Sequence, residues 1–480
     1  MAGFELVRLD DWRWEIPRTG GMRVPGLIFA DDALISDINK DDSVDQVANV
    51  ACLPGIIKYS YAMPDIHLGY GFAIGGVAAM DLDTGVISPG GVGYDINCGV
   101  RLVRTSLVAD EVKDKIEAMT KALFAATPVG VGSSGAIKRL GQEDERRILE
   151  RGARWAVEHG LGTEEDLDCT EERGSMEGAD ASAVSPRAME RGRDQAGTLG
   201  SGNHFLELSR VAEVFDDNAA RAFGLFEGQV VMQIHCGSRG LGHQVCDDYI
   251  RVMLPASHKY GIDLPDKQLC SAPIRSSEGK RYFAAMAAAA NFAWNNRQVI
   301  MARAVETLEH SLSISPKALG ARLVYDVAHN IAKFEKHVVD GRETEILIHR
   351  KGATRAFGPG RPGLPERYRA TGQPVLIPGD MGRQSFVCVG TQASEETFAS
   401  TCHGAGRVLS RHAAIAKARG RNIIRELAQR GIVVIAGEKG TVAEEMPEAY
   451  KDVAEVVKVM HEAGISRKVA RLVPMGVIKG

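Results

Sequence analysis

The segment Ser88–Arg101, SPGGVGYDINCGVR, constrains the fold most, because it places Asp95 and Cys98 three residues apart among four glycines. Glycines let the backbone approach a bound group closely, and a carboxylate and a thiol at this spacing can turn toward one point. Oxygen and sulfur donors together suit a divalent transition metal. Two donors do not complete a coordination sphere, so the remaining ligands must come from elsewhere in the chain.

Composition limits the class of protein. The chain has 480 residues, of which 44% are hydrophobic and 25% charged, as in ordinary globular proteins. Its net charge of −4 excludes a protein that is basic throughout, so any polyanionic partner must bind a local patch. The N-terminus lacks an apolar signal core, no apolar run is long enough to span a bilayer, and the eight cysteines form no CxxC pair. We therefore expect a cytoplasmic protein with reduced cysteines and no membrane partner.

The alternation of apolar periodicities predicts a mixed α/β (α+β) fold in one large domain, residues 1–480. The predicted helices include Asp42–Leu53, Asp110–Ala126, Gly141–Gly160, Glu278–Leu312 and Gly404–Ala418. The predicted strands include Val100–Ser106, Gly228–His235, Arg322–Ala328, Ser385–Val389 and Arg471–Ile478. Residues 1–40 indicate irregular structure with one short strand, and Pro64–His67 indicates a loop.

Three histidines share one local setting. His204, His235 and His329 each lie where an apolar run meets a glycine or an asparagine. Such strand ends can converge at the mouth of a sheet, where Asp95 and Cys98 would join them as further metal donors. A single histidine of this kind is more often structural than a ligand. Because no HExxH or CxxC signature is present, spacing alone leaves both interpretations open.

His403 begins the segment HGAGRVLSRHAA, which we interpret as a glycine turn entering a helix. The first turn of a helix offers free N–H groups to a phosphate, and its positive field keeps an imidazole neutral and nucleophilic. Arg407 and Arg411 would lie one turn apart on that helix and could bind phosphates together. The alternative is a structural histidine in a turn, followed by arginines on a solvated face.

Seven segments, in this order, resemble the RtcB family of RNA-splicing ligases. They are PDIHLGYGFAIGGV, GGVGYDINCGVR, GSGNHFLE, HCGSRGLGHQ, AHN, HRKGATRA and CHGAGRVLSR, followed by a terminal Lys-Gly. The resemblance runs from about residue 61 to the last residue, and an ordered series of this kind is far more specific than any single motif.

The resemblance implies a fold of β-sandwich-like central sheets surrounded by helices. It also implies an RNA ligase that depends on GTP and Mn²⁺. Such a ligase joins RNA ending in a 2′,3′-cyclic phosphate or 3′-phosphate to RNA with a 5′-hydroxyl. The family reaction passes through a guanylylated histidine, transfer of GMP to the RNA 3′-phosphate, and attack of the 5′-hydroxyl with release of GMP. The RNA would be tRNA halves or broken RNA, and an archease-type activator is a further partner that the sequence leaves open.

The resemblance assigns roles residue by residue. His403 corresponds to the guanylylated histidine, while Asp65 and Lys351 correspond to positions that support catalysis. Asp95, Cys98 and His204 correspond to the ligands of one Mn²⁺, and Cys98, His235 and His329 to those of the other, with the thiolate bridging. The positions corresponding to guanylate contacts are Asn203, His204, Phe205, Leu206, Glu207, His329, Asn330, Pro378, Gly379, Asp380, Met381, Ser385, His403, Gly404, Ala405, Gly406, Arg407, Tyr450 and Lys479. Cysteine and histidine ligands by themselves favour Zn²⁺ over Mn²⁺, so the identity of the metal comes from the resemblance alone.

One departure from the family pattern is Asp380, with Arg383, where a hydroxyl and a small residue are expected. A carboxylate beside a nucleotide phosphate would repel it, so we expect Asp380 to face the base or sugar or to pair with Arg383. Two other functions stay open: a metal-dependent phosphoesterase that hydrolyses cyclic phosphate ends, and a non-catalytic RNA-binding protein. The phosphoesterase would have no need of a nucleophilic His403.

Overall fold

The structure, a computed structural model, describes residues 4–137 and 140–480. Its helices are α1 Asp32–Ile38, α2 Ser43–Val50, α3 Ala109–Val112, α4 Ile116–Ala126, α5 Gln142–Arg151, α6 Ala153–Glu158, α7 Glu164–Asp168, α8 Pro186–Gly192, α9 Asp217–Phe223, α10 Arg239–Lys259, α11 Ser277–Leu312, α12 Pro316–Leu319, α13 Arg411–Ala418, α14 Ile423–Gln429, α15 Lys439–Glu444 and α16 Val453–Glu462. The alanine-rich part of α11 is buried, because small side chains let neighbouring elements approach the helix closely.

The strands form two large sheets and two short ribbons. They are β1 Val7–Arg8, β2 Arg13–Ile16, β3 Gly26–Phe29, β4 Ile56–His67, β5 Ile74–Asp81, β6 Val86–Ile87, β7 Gly99–Val108, β8 Phe205–Val214, β9 Gln229–Cys236, β10 Ala272–Pro273, β11 Arg322–Ala328, β12 Asn330–Val339, β13 Arg342–Lys351, β14 Ala353–Arg355, β15 Pro374–Ile377, β16 Ser385–Gly390, β17 Ser400–Cys402, β18 Val433–Ala436 and β19 Ser466–Lys479. The seven-stranded sheet has the order β1-β2-β3-β4-β5-β13-β12. The eight-stranded sheet has the order β11-β7-β9-β8-β19-β16-β15, with β18 paired to β19.

The two large sheets are mostly antiparallel and share one hydrophobic cluster. Tyr61 and Ile348 of the seven-stranded sheet lie in the same cluster as Val375 and Phe386 of the eight-stranded sheet. The other face of the eight-stranded sheet packs on helices α4, α9 and α11. The predicted α+β class, with helices around central sheets, is therefore confirmed.

The register of the eight-stranded sheet brings the ends of four strands, β7, β8, β9 and β11, to one edge of the sheet. Gly99, the first residue of β7, lies opposite Cys236, the last residue of β9. Ala328 at the end of β11 also lies opposite Gly99, and Phe205 at the start of β8 lies opposite His235. Residues immediately outside these strands therefore project from a single edge of the sheet.

Two of the predicted elements are wrong. Pro64–His67 is the end of β4 rather than a loop, and the register of β4 shifts between Ala62 and His67, where Pro64 needs no N–H for the sheet. The helix predicted over Gly404–Ala418 begins only at Arg411, where Ser410 is the N-cap and accepts from the N–H of Ala413.

Two other regions differ in detail. One short strand was predicted for residues 1–40, whereas the described part, residues 4–40, contains three strands and a helix, because β2 and β3 complete a sheet whose other strands come from distant sequence. The predicted helix Gly141–Gly160 is broken at Gly152, whose φ is +56°. A Cβ there would lie 1.9 Å from the carbonyl oxygen of Gly174, so close packing requires glycine at the break.

Candidate functional site

The sheet edge described above collects five potential metal donors. Cys98 precedes β7, His204 precedes β8, His235 lies near the end of β9, and His329 follows β11. Asp95 joins them from the glycine-rich segment that leads into β7. The structure thus places together the five residues that the sequence singled out as ligands.

The donors form two groups that share Cys98. In the first group, His204 Nε2 lies 2.8 Å from Asp95 Oδ2 and 3.4 Å from Cys98 Sγ. In the second, His235 Nε2 lies 3.2 Å from Cys98 Sγ and 3.2 Å from His329 Nε2. In each group all three donor atoms lie within 4.8 Å of one another, so each group could hold one metal ion.

The chemistry of these donors fits cations better than an ordinary polar core. Burial lowers the pKa of His235 and of His329 well below the usual value, so both imidazoles stay neutral and keep a lone pair. Burial, with the nearby Asp95 carboxylate, raises the pKa of the Cys98 thiol to about 12. A bound cation would reverse this, since metal coordination deprotonates a thiol.

A buried arginine on α11 connects three of the ligand-bearing segments. Arg297 Nη1 donates to the carbonyl oxygens of Asn97 and Cys236, each at 2.8 Å. Its Nε and Nη2 donate to the two carboxylate oxygens of Asp326 on β11, at 2.9 and 2.7 Å. Burial opposes ionisation of Asp326, yet Arg297 and Arg101 hold its pKa below the usual value. Arg297 therefore positions the neighbours of Cys98, His235 and His329, a role with no sequence signal because α11 shows only helical periodicity.

Glycine is required beside the first donor group. A Cβ on Gly237 would lie 2.3 Å from Asp95 Oδ1. Asp95 Oδ1 instead accepts from the backbone N–H of Ser238 at 3.0 Å. The close approach of this backbone leaves Oδ2 to face His204.

His403 lies beside the second donor group and is held by Asp65. The His403 and His329 ring centroids are 4.9 Å apart. His403 Nδ1 is 2.6 Å from Asp65 Oδ2, which also accepts from the backbone N–H groups of His403 and Gly404. Burial opposes ionisation of Asp65, but the charge of His403 and these hydrogen bonds keep its pKa below the usual value. The Nδ1 contact leaves Nε2 as the free ring nitrogen, and His403 lines the cavity described below.

The helix predicted directly after His403 is wrong. His403 follows β17 and precedes a glycine turn, so no helix begins at it, and the carboxylate of Asp65 contacts its ring instead. Arg407 and Arg411 do not share a helix face. Arg407 lies before α13 and donates to Glu445 and to the hydroxyl of Tyr450, at 3.0 and 3.1 Å.

The turn itself packs against the strand that carries Asp65. Gly406 has φ +71°, and a Cβ there would lie 2.3 Å from the carbonyl oxygen of Asp65. Only glycine allows this approach, which brings His403 and Asp65 into contact.

Two buried lysines hold the backbone around the site. Lys351 Nζ donates to the carbonyl oxygens of Tyr70 and Phe72, and burial lowers its pKa to about 7. Lys451 Nζ donates to the carbonyl oxygens on either side of Asp65, those of Pro64 at 3.0 Å and Ile66 at 2.7 Å. Burial lowers the pKa of Lys451 to about 8, against the opposing effect of Asp65. Lys451 carries no sequence signal, since it is a single lysine between a tyrosine and an aspartate.

A cavity of about 370 Å³ lies over the donors and His403. It is lined by every residue assigned from the resemblance except Asp65, His204, Leu206 and Ser385. The side chain of Leu206 is buried in the hydrophobic cluster on the other face of the sheet, so only its backbone could contact a nucleotide. Ser385 lies behind the cavity wall, where its hydroxyl accepts from the N–H of Gly379 at 3.1 Å. His67, Tyr70, Tyr94 and Glu445 also line the cavity, although the family resemblance assigned no role to them.

Asp380, which departs from the family pattern, forms an ion pair with Arg383. Asp380 Oδ2 accepts from Arg383 Nε at 2.5 Å, and Oδ1 accepts from the N–H of Gly382. Arg383 Nη2 also donates to three carbonyl oxygens of the segment Pro447–Lys451. Of the two arrangements expected for Asp380, the structure shows the pairing, which ties two walls of the cavity together.

One further carboxylate lies at the cavity wall. Glu207 is buried, and burial raises its pKa to about 7, although Ser209 and Gln233 donate to it. Lys479 lies near it on β19, with its ammonium 5.8 Å from the ring centroid of Phe205. This wall therefore offers an aromatic face, a carboxyl and a cation.

In the part of the chain that the structure describes, no helix has the length and apolarity to cross a membrane.

The fold and cavity define a class of protein: an α+β chain in which two donor groups sharing a cysteine face a carboxylate-held histidine. Comparison with known proteins narrows the class. The model of the family described as tRNA-splicing ligase RtcB matches residues 46–480. The tRNA-splicing ligase RtcB of Thermococcus kodakarensis is 56% identical over 477 residues, 99% of each chain, and that of Archaeoglobus fulgidus is 55% identical over 478 residues, also 99% of each. The RNA-splicing ligase RtcB of Mycobacterium tuberculosis is 50% identical over 439 residues, 91% of this chain and 100% of that protein.

The chain belongs to the tRNA-splicing ligase RtcB family.

Proposed function

We propose that this chain is a GTP-dependent RNA ligase that uses His403 as its nucleophile and two Mn²⁺ ions held by the two donor groups. It would join a 3′-phosphate or 2′,3′-cyclic phosphate end to a 5′-hydroxyl end, in tRNA splicing and in RNA repair. The observation that carries the proposal is the 2.6 Å contact between His403 Nδ1 and Asp65 Oδ2, beside the second donor group.

Asp65 prepares His403 for nucleophilic attack. A carboxylate at Nδ1 selects the tautomer with its proton on Nδ1, so the lone pair of Nε2 is available. Nε2 attacks the α-phosphorus of GTP, forming a phosphoramidate and breaking the bond to the β-phosphate oxygen, with pyrophosphate leaving. The carboxylate stabilises the positive charge that the ring acquires as this bond forms.

The next two steps return the site to its starting state. An oxygen of the RNA 3′-phosphate attacks the guanylate phosphorus, breaking the phosphoramidate bond and restoring neutral His403. The 5′-hydroxyl then attacks the activated RNA phosphate and GMP leaves. A 2′,3′-cyclic end first takes up water to give the 3′-phosphate.

The cavity walls supply binding for the nucleotide. Metal ions, when bound, neutralise phosphate charge and orient in-line displacement. Lys479 and Arg407 add positive charge, and Phe205 and Tyr450 add aromatic faces at the cavity wall. Asn203, Glu207 and Asn330 offer hydrogen-bonding groups for a guanine base or ribose.

Incubation of the protein with α-labelled GTP and Mn²⁺ tests the proposal. The wild-type chain should acquire an acid-labile label, and His403→Ala should acquire none. His412→Ala is the matched control, because His412 is exposed nine residues later and does not line the cavity. A label that persists in His403→Ala would refute the assignment. An unlabelled wild-type chain that still hydrolyses cyclic phosphate ends would establish the phosphoesterase instead.

A further inference from the structure

The two-helix segment 411–430, called here the basic arm, has a charge opposite to that of the whole chain. It contains six arginines and lysines and one glutamate, a net charge of +5, whereas the chain carries −4. The cations are Arg411, Lys417, Arg419, Arg421, Arg425 and Arg430. A local patch of this sign attracts polyanions even when the protein as a whole is acidic.

The packing of the basic arm directs these cations to solvent. Ala414 and Ala418 of α13 and Ile423 and Leu427 of α14 are buried in one cluster with residues of β18 and α15. All six cations are exposed. The apolar face holds the arm on the protein, so its charged face is fixed in position before any partner binds.

Most of this charge is not neutralised within the chain. Arg421 forms ion pairs with Glu426 at 2.6 Å and Glu448 at 2.8 Å. The other five cations form no ion pair with any residue that the structure describes. Exposed cations without acidic partners can neutralise phosphates without first breaking an internal contact.

The basic arm begins at the mouth of the catalytic cavity. Arg411, its first residue, lines that cavity. A Cβ on Gly202 would lie 3.3 Å from Arg411 Nη2, so the arm starts beside the loop that carries His204. At about 1.5 Å of helix rise per residue, Lys417 lies roughly 9 Å farther along α13. The arm thus starts at the cavity, and its other cations lie on the exposed surface of the two helices.

We propose that the basic arm binds the phosphate backbone of the RNA strand whose end enters the cavity, without reading its sequence. This inference depends on the proposed RNA ligation. Arginine and lysine contacts to phosphates set the position of a strand but carry no sequence information. A strand end that reaches His403 has to pass the cavity mouth, where Arg411 lies, so RNA is favoured over other polyanions.

The test compares two triple variants that remove the same charge. Lys417→Gln/Arg419→Gln/Arg425→Gln changes the arm away from the cavity. Lys113→Gln/Lys115→Gln/Lys317→Gln changes exposed lysines that do not line the cavity. The probe is single-stranded RNA with a 3′-phosphate, and its affinity is measured against NaCl concentration. Three lost phosphate contacts should lower the slope of log affinity against log salt by about 2, with affinity at low salt reduced roughly 10-fold or more. The control variant should match the wild-type chain.

Two results would overturn the proposal: equal RNA affinity and slope in the arm variant and wild type, or an equal loss in the control. A second measurement, independent of mutant folding, is crosslinking of 4-thiouridine RNA to the wild-type chain. Crosslinked peptides should fall within 411–430, and crosslinks confined elsewhere would contradict the arm. Labelling of His403 by GTP needs no RNA, so an unlabelled wild-type chain would refute the proposed function rather than the arm.

Discussion

The metal-donor edge and the His403 side of the cavity are built differently. Four of the five donors lie directly at strand ends of one sheet, and Arg297 and Asp326 brace them from a buried helix and strand. The His403 side consists of turns and short segments, 378–383, 403–410 and 445–451, drawn together by side-chain contacts such as Asp380–Arg383 and Asp65–His403. The metal-donor edge is therefore positioned by the fold, and the His403 side by a small number of polar contacts.

Because of this difference, substitutions on the two sides should affect the site in different ways. The metal-donor edge resists local displacement, because β7, β8 and β9 are held by neighbours on both sides and β11 is held by β7. A turn held by one carboxylate or one ammonium has few other contacts to keep it in position when that contact is lost. Substitutions on the two sides should therefore separate metal binding from nucleotide transfer.

The largest effect on the metal edge is expected from Cys98→Ala. Cys98 Sγ belongs to both donor groups, so its loss should lower the affinity for both ions by more than about 100-fold. Metal titration by calorimetry or competition measures this directly. Cys388→Ala, a buried cysteine in the cluster between the sheets, is the control and should bind both ions normally. Loss of one ion alone would contradict a shared thiolate.

On the His403 side, the corresponding substitution is Asp65→Asn, which removes the carboxylate that contacts His403. An amide does not hold the Nδ1–H tautomer as a carboxylate does, so labelling by GTP should slow by roughly 10²- to 10⁴-fold. Metal affinity should change little, because Asp65 is not a donor. Asp81→Asn, at the end of the neighbouring strand, should label at the wild-type rate. A matching loss of metal affinity in Asp65→Asn would show that the two sides are not separable.

Lys451→Met should also affect the His403 side, with a smaller loss of the labelling rate than Asp65→Asn. The variant keeps Asp65 but releases the two carbonyl groups beside it, so labelling should slow roughly 10-fold through misplacement of the carboxylate. Lys458→Met on the exposed face of α16 is the control. Sealing of RNA that already carries a 3′-guanylate should be nearly unchanged in Lys451→Met, since that step bypasses His403. An equal loss in both assays would indicate a general structural defect.

The pH dependence of the free energy of unfolding tests independently whether burial perturbs the pKa of Lys451. Its folded pKa of about 8 lies below the ordinary lysine value of 10.5. Between these values the unfolded chain binds a proton that the folded chain has released, so the free energy of unfolding should rise with pH. Denaturant unfolding across this range should show a steeper rise in the wild type than in Lys451→Met, which keeps the contribution of the buried Lys351. Parallel curves would mean that Lys451 is not perturbed by burial.

The two sides also differ in how far sequence could predict them. His204, His235 and His329 could be picked out because an apolar run ending in a polar residue marks a strand end, and antiparallel register brings such ends together. The segment after His403 could not be placed, because a glycine turn and an alanine-rich helix in succession have the periodicity of one longer helix. Ser410 was the available signal, since it is an N-cap residue just before the true helix start. Lys451 and Arg297 act through backbone carbonyl groups, which sequence patterns do not reveal.

In the arrangement proposed here, Cys98 lies between two metal ions that face His403. Anomalous diffraction at the manganese edge, from crystals grown with Mn²⁺ and GTP, tests it most directly. Two peaks are expected, one between Cys98 and His204 and one between Cys98 and His329, with the guanylate phosphorus at His403 Nε2. A single peak, peaks remote from Cys98, or a guanylate bound away from His403 would contradict it.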